Sequence, residues 1–346
     1  MANSPSLAGL LPEQLCHTLS LSPSFRGRQV FQWIARGATS FDEMTNLDKK
    51  SRGRLAHDFC LRKSAVSQKL TDSDGTVKLQ LTLHDGRAVE TVLLTDREGR
   101  KTACVSSQAG CAMGCAFCQT GQLGLGRNLE AGEIVEQFLE LEAASGLLDN
   151  IVFMGMGEPL QNLDAVSQAV AVLTHPEGRA LSGRRITIST CGLIEKLYEL
   201  SERALSVRLA VSLTTADQAL RERLMPVAKA NPLPELKKAI ACYASRSGRR
   251  VTLEAALLGG LNTDEKSAEQ LAMFASGMDV YVNVIPWNPV PGLPFVPPSF
   301  SECRGFVHFL EERGISAGLR MRRGASIAGA CGQLGRAQAE QPPSGI

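Results

Sequence analysis

The chain has 346 residues, 44% hydrophobic and 21% charged, with a formal net charge of +2. That is long enough for one large domain with appendages or for two domains, and enough to bury a sizeable core. No apolar run approaches the eighteen residues of a membrane span, and the first residues lack a basic segment followed by a long apolar stretch. The expectation is a protein of the cytoplasm, with no membrane partner.

Charge is uneven along the chain. Residues 1–64 carry nine Lys/Arg against five acids, and residues 313–336 carry five Arg and no acid. Two basic ends around a near-neutral middle suit a polyanion that reaches both, although a solvated face reads equally well. Residues 26–64 read as helices, with Ser40 and Glu43 spaced as a capping box. Over 66–95 the pattern alternates, with Asp74-Gly75 and Asp85-Gly86 as hairpin turns, which predicts a small antiparallel meander. Strands are then expected at 102–106, 150–154, 186–190, 208–213, 251–257 and 280–285, and a last one near 317–322. Helices are expected at 130–145, 162–174, 193–203, 217–223, 234–246 and 264–276. Six βα units imply a parallel sheet, open or curled into a partial barrel, with its chemistry at the carboxyl ends of the strands.

Cys111, Cys115 and Cys118 fall in the loop after the first of these strands. Thiolates at that density select zinc or an iron–sulfur cluster. Zinc needs a fourth ligand, and none of the five histidines is near. A [4Fe–4S] cluster on three cysteines leaves one iron open to a substrate or cofactor. Four other cysteines, Cys16, Cys60, Cys242 and Cys303, read as small buried hydrophobes, and Cys191 reads as packing.

CxxxCxxC after the first strand of a βα series resembles the radical S-adenosylmethionine (SAM) superfamily. In that superfamily the open iron holds SAM, and an electron from the cluster cleaves it to a 5′-deoxyadenosyl radical. "GMGEP" (155–159), "STCG" (189–192), "SLT" (212–214) and "WNP" (287–289) each follow a strand. The resemblance makes Gly157, Glu158, Ser189, Ser212, Leu213, Thr214 and Asn288 SAM-binding residues. "GRQVFQWI", "CVSSQAGCAMGCAFCQTG", "FMGMGEPL", "VNVIPWNPVPG" and "ACGQL" resemble, in order, the RlmN/Cfr family of radical SAM RNA methyltransferases, and Pro159 resembles the RlmN branch.

The resemblance implies a partial (β/α)6 barrel over 101–325, carrying a helical RNA-docking accessory domain at 1–64 and the meander at 65–100. A tail at 326–346 completes the chain. It implies methylation of an adenosine, at C2 of an adenine in 23S rRNA and in many members also in tRNA, with two SAM consumed per methyl group. C2 of adenine is electron-poor and cannot attack a methyl cation donor, which is why a radical is needed. In the family's scheme Cys331 carries the methyl group and its carbon radical adds to the base. Glu90 accepts the proton, and Cys104 resolves the protein–RNA crosslink as the transient disulfide partner of Cys331. An electron donor such as flavodoxin or ferredoxin and a monomeric state are further implied.

Read on their own, Glu90 is a carboxylate with no charged sequence neighbour until Asp96, Cys104 is a core residue, and Cys331 sits among glycines. Two departures stand out: Thr214 replaces the family's histidine, and Ser326 and Ala328 replace its acidic positions. Alternatives are methylation at C8, a radical SAM enzyme with another RNA or non-RNA substrate, and a zinc-dependent RNA-binding module.

Overall fold

The computed structural model describes residues 6–203 and 205–335. Arg336 of the basic C-terminal stretch, and the rest of the tail beyond it, lie outside the described residues. The N-terminal segment forms α1 (Pro12–Thr18), α2 (Phe25–Ala35) and α3 (Lys49–Asp58). Val30, Phe31 and Ile34 bury the inner stripe of α2 at the helical spacing. The Ser40–Glu43 capping box closes a short 3-10 turn at Phe41–Glu43 rather than opening a full helix.

The meander is β1 (Ala65–Thr71), β2 (Val77–Thr82) and β3 (Ala88–Thr95). Gly75 and Gly86 take positive φ at the two predicted turns. Then follow β4 (Lys101–Cys104), β5 (Gln108–Cys111), α4 (Gln119–Gln122), β6 (Gly124–Asn128), α5 (Ala131–Ser145) and β7 (Asn150–Phe153). Next come α6 (Leu163–Thr174), β8 (Ile186–Thr190), α7 (Ile194–Glu202), β9 (Arg208–Ser212), α8 (Gln218–Leu224), α9 (Leu233–Ser247) and β10 (Val251–Leu257). The series ends with α10 (Glu265–Ala275), β11 (Val280–Pro286), α11 (Phe300–Glu312) and β12 (Ala317–Leu319).

One ten-stranded sheet runs β1-β2-β3-β4-β7-β8-β9-β10-β11-β12. The meander strands are antiparallel, β3 pairs antiparallel with β4, and every neighbour from β4 to β12 is parallel. The meander therefore continues the barrel sheet. Six crossovers link the parallel strands, as the βα rhythm predicts; buried Val, Ile and Leu pack one face, while Thr187, Ala210, Thr252, Glu254 and Asn283 of the other line a cavity.

Two elements escape the sequence pattern. Helix α11 follows a Pro-rich loop and buries Cys303, Phe306 and Leu310. The second is the hairpin of β5 and β6, whose first strand ends at Cys111. Gly110 in this hairpin has φ +87, and a Cβ there would stand 2.0 Å from the Gly124 carbonyl oxygen, so only glycine fits. Among the four cysteines expected to be buried, Cys303 is, Cys16 and Cys242 are half-buried, and Cys60 is exposed just past α3.

Candidate active site

Two adjoining cavities lie along the parallel strands, the smaller at their carboxyl ends and the larger reaching towards their amino ends. The smaller, about 180 Å³, is lined by Cys111, Cys115 and Cys118 together with Gly157, Glu158, Ser189, Ser212, Thr214, Asn288 and Cys331. Residues from β7 through β11 reach the same cavity, so the sheet curls around it. Of the expected SAM residues, Leu213 alone points away, fully buried in the core behind the strand ends. The larger cavity, about 760 Å³, lies inside the curl and is lined by Cys104, Cys331 and six arginines, Arg97, Arg100, Arg208, Arg320, Arg322 and Arg323. Its size is that of small-molecule sites.

The cysteine loop is fixed from several sides. Ala116 N–H donates to Leu224 O at 2.8 Å, and Trp287 Nε1–H donates to Phe117 O at 2.8 Å. Met113, Leu220, Leu224, Met225, Trp287 and Val290 form an apolar shell against Cys111, Cys115 and Phe117. Burial pushes all three thiols up, Cys111 to about 12, and the charge of Cys118 adds to the rise at Cys111 and Cys115. The three cysteines are half-buried, and a cationic centre would favour their thiolates. No group of three His, Cys, Asp or Glu among the described residues is arranged to hold a single metal ion. A set of three cysteine sulfurs around one cavity fits a [4Fe–4S] cluster, in which each would hold its own iron.

Glu158 is buried, and its carboxylate accepts from Leu160 N–H at 3.0 Å and from Cys191 N–H at 2.8 Å. Burial raises its pKa against those two hydrogen bonds. Gly157 has φ +98, and a Cβ there would lie 2.5 Å from Gln108 Cβ, so the turn that aims Glu158 admits only glycine. Asn288 donates to Cys331 O at 3.0 Å while its buried Oδ1 has no partner, an acceptor left for a ligand. Thr214 is held at φ +64, a costly conformation for a β-branched residue. Its N–H is tied to Glu254 O at 2.9 Å and its carbonyl accepts from Asn262 at 3.1 Å. These observations fit SAM in the smaller cavity.

Cys104 lies at the end of β4, opposite Val92 of β3. Burial, then the nearby charge of Cys331, pushes its thiol up to about 12. All ten cysteines are free, so the expected Cys104–Cys331 disulfide is not formed in this state. Cys331 is the only cysteine that lines both cavities. Glu90 lies in neither lining. It is 3% exposed, and its sequence isolation misleads, because Lys78 Nζ stands 2.9 Å from its Oε1. Its Oε2 accepts from Gly335 N–H at 2.6 Å. Alternation places Glu90 on the face shared by Val92 and Leu94, the face that Cys104 joins across the β3–β4 pair.

Three residues of the site were not singled out in the sequence. Glu254 of β10 lines both cavities, accepts from Asn283 Nδ2 at 3.2 Å and lies 3.9 Å from Arg320 Nη1. The negative charge of Cys331 first, then that of Glu254, raises the pKa of Arg320. Arg221 of α8 is fully buried, donating to the carbonyls of Cys191 at 2.7 Å and Leu213 at 3.2 Å. A charged residue within an apolar, parallel strand such as "VTLEAAL" was the signal available for Glu254.

Residues 105–272 match the radical SAM superfamily model, and residues 17–61 match the ribosomal RNA large subunit methyltransferase N-terminal domain. A Treponema pallidum protein named probable dual-specificity RNA methyltransferase RlmN is 53% identical over 96% of this chain and 97% of its own length. A protein of the same name from Moorella thermoacetica is 46% identical over 95% and 96% of the two chains. The crystal structure of a radical SAM methyltransferase from Sphaerobacter thermophilus superposes with a TM-score of 0.92 at 41% identity, covering 96% of this chain and 99% of that one. With similarity spanning nearly every residue of each relative, the chain belongs to the RlmN family of radical SAM methyltransferases.

Proposed function

We propose that the protein methylates C2 of an adenosine in RNA, in 23S rRNA and also in tRNA. It would act as a monomer in the cytoplasm and draw its electron from a flavodoxin or ferredoxin. The observation that carries this reading is the position of Cys331, the one cysteine that lines both the cavity beside the cysteine loop and the arginine-lined cavity that contains Cys104.

In this reading Cys111, Cys115 and Cys118 hold the cluster. Glu158 accepts from the SAM ammonium group, and Ser189, Ser212, Thr214 and Asn288 meet the rest of the molecule. When bound, the cluster and its SAM would supply a hydrogen-abstracting radical, and a second SAM would supply the methyl group carried on Cys331. The chain's own residues then do the positioning. The arginines of the larger cavity hold phosphates and bring the base edge against Cys331. Glu90 removes the C2 proton once the carbon–carbon bond exists, and the unpaired electron left on the base would return to the oxidised cluster, giving a closed-shell crosslink. Cys104 releases the product by attacking the sulfur of Cys331, and an external dithiol would then reduce the resulting disulfide for the next turnover. The sulfur–sulfur bond forms, the carbon–sulfur bond breaks, and its electron pair goes to the methylene carbon, which takes a proton and becomes the methyl group. Burial of Cys104 keeps that thiol neutral until it is called on.

Mass spectrometry of nucleosides from rRNA and tRNA, after incubation with reduced enzyme and SAM, tests this reading. Formation of 2-methyladenosine supports it. 8-Methyladenosine, or no modified adenosine, overturns it.

A further inference from the structure

The loop that carries Cys331 is fastened to the meander by a buried ion pair. Lys78 of β2 is 6% exposed and Glu90 of β3 is 3% exposed. Gln80, not Lys78, is the residue directly opposite Glu90, so the pair is a diagonal contact on one face of the sheet. Each partner also reaches into the tail. Lys78 Nζ donates to the Ala328 carbonyl at 3.3 Å, three residues before Cys331. Gly335 N–H donates to Glu90 Oε2 at 2.6 Å, four residues after it. Both fastening points sit at left-handed bends, Ala328 at φ +50 and Gly335 at φ +100. The ion pair therefore grips the loop on both flanks of its thiol.

We propose that Lys78 is a positioning residue of the reaction, forming with Glu90 a two-sided clasp that holds the Cys331 loop and keeps Glu90 covered until the loop moves. The proposal rests on Glu90 as the base and Cys331 as the carrier. With the clasp closed, Oε1 faces the ammonium and Oε2 is capped by Gly335. Leu334 lines the larger cavity where Glu90 does not. A loop that swings Cys331 toward the RNA draws Gly335 off Oε2, which opens that oxygen to the C2 hydrogen. Lys78 stays on Oε1 and keeps the carboxylate paired and oriented, where a buried carboxylate without a partner would be strongly disfavoured. The proton passes from C2 to Oε2, and the pair goes from neutral to singly positive. Delivery of the methyl group and exposure of the base thereby become one movement. Other contacts also hold the loop: Asp74 and Asp72 accept from the N–H groups of Gly324 and Ser326, and Thr120 donates to Leu334 O. Loss of the clasp therefore loosens the loop without freeing it.

The test uses full-length enzyme with its cluster, an rRNA fragment as substrate, and three readouts: amide hydrogen exchange over 324–335, methylation of Cys331, and resolution of the crosslink in a single turnover. Glu90→Gln keeps an acceptor for Gly335, so exchange should match wild type while the crosslink persists. Lys78→Met should speed exchange about fivefold for each hydrogen bond lost and slow resolution, while Cys331 is still methylated. Lys78→Arg should recover part of both effects. Lys78→Met leaves Glu90 without its partner, a change that can unfold the protein, so Lys78→Met/Glu90→Gln provides a version with no lone charge; it should exchange fast and stay stalled. Wild-type exchange in the double variant, or wild-type resolution in folded Lys78→Met, overturns the clasp. If Glu90→Gln resolves the crosslink normally, the base assignment fails instead, and exchange alone decides the clasp.

Discussion

The cysteine loop and the C-terminal loop face each other across one cavity and are built in opposite ways. The cysteine loop grows out of a hairpin, is packed in an apolar shell and is held by a hydrogen bond to α8 and one from Trp287. The Cys331 loop has no regular structure over 324–335; Leu334 alone anchors it in the main core, and its other attachments are mainly polar, to Asp72, Asp74, Lys78, Glu90, Gln119, Thr120, Asn288 and Pro289. Apolar packing resists small displacements because close-packed side chains lose contact at once. A few hydrogen bonds, each worth about 1 kcal/mol net, can be exchanged for others. The difference teaches which sulfurs stay put and which one travels.

The sharpest way to break the comparison is to remove an immobile sulfur. Cys111→Ala, Cys115→Ala or Cys118→Ala should abolish cluster binding and SAM cleavage, read by iron content and by 5′-deoxyadenosine formation. A variant that keeps a full cluster and cleaves SAM at the wild-type rate would remove these residues from the site.

Changing the travelling sulfur should instead separate SAM cleavage from product. Cys331→Ala should keep the cluster and still cleave SAM, yet form neither 2-methyladenosine nor crosslink. Cys104→Ala should stall later, with RNA covalently held on Cys331 through a methylene bridge, seen as a mass-shifted Cys331 peptide after ribonuclease treatment. An unmodified Cys331 peptide, with SAM consumed and RNA supplied, would reverse the two assignments.

A smaller effect follows from the buried Cys104 thiol. Its pKa is raised to about 12 from an ordinary value of 9.0. Over pH 7 to 9 the thiolate fraction, and so the resolution rate in single turnover, should rise about tenfold per pH unit. Folding responds with the opposite sign. The fold favours the neutral thiol, so this contribution to stability is fully present below about pH 9 and is lost as pH climbs through about 12. A flat rate over pH 7 to 9 would show that Cys104 ionisation does not limit resolution.

The βα order, the strand ends that line the site and the three-cysteine loop were legible in the sequence, because each rests on local spacing. Ser189, Ser212 and Asn288 follow from the same rule, since they lie at or just past strand ends. What escaped depends on register between distant segments. Glu90 looks isolated because Lys78 lies twelve residues earlier and meets it only through the β2–β3 pairing. Glu254 and Arg320 meet only because the sheet curls. Helix α11 is hidden by the Pro-rich loop before it, though its Ser299–Glu302 capping box was present to be read. The exposed Cys60 shows the limit of treating a lone cysteine as core, since it lies just beyond α3, outside any buried stripe.

The smallest predicted effect concerns Thr214, where this chain departs from its family. The residue is buried, lines the smaller cavity and holds φ +64 through hydrogen bonds at both its N–H and its carbonyl. Glycine adopts that conformation freely, so Thr214→Gly relieves strain of about 1–2 kcal/mol. Against this, the unfolded chain gains about 0.5–1 kcal/mol of entropy, and a buried methyl group worth about 1 kcal/mol is lost. The terms nearly cancel, and the melting temperature should move by no more than a few degrees. The hydroxyl, however, is gone. If it meets SAM, the KM for SAM should rise about fivefold, the loss expected of one ordinary hydrogen bond. A raised KM at an unchanged melting temperature marks Thr214 as a ligand contact on the immobile side of the cavity. A fall in melting temperature of ten degrees or more, with KM unchanged, would make Thr214 a support for the strand ends and remove it from the SAM site.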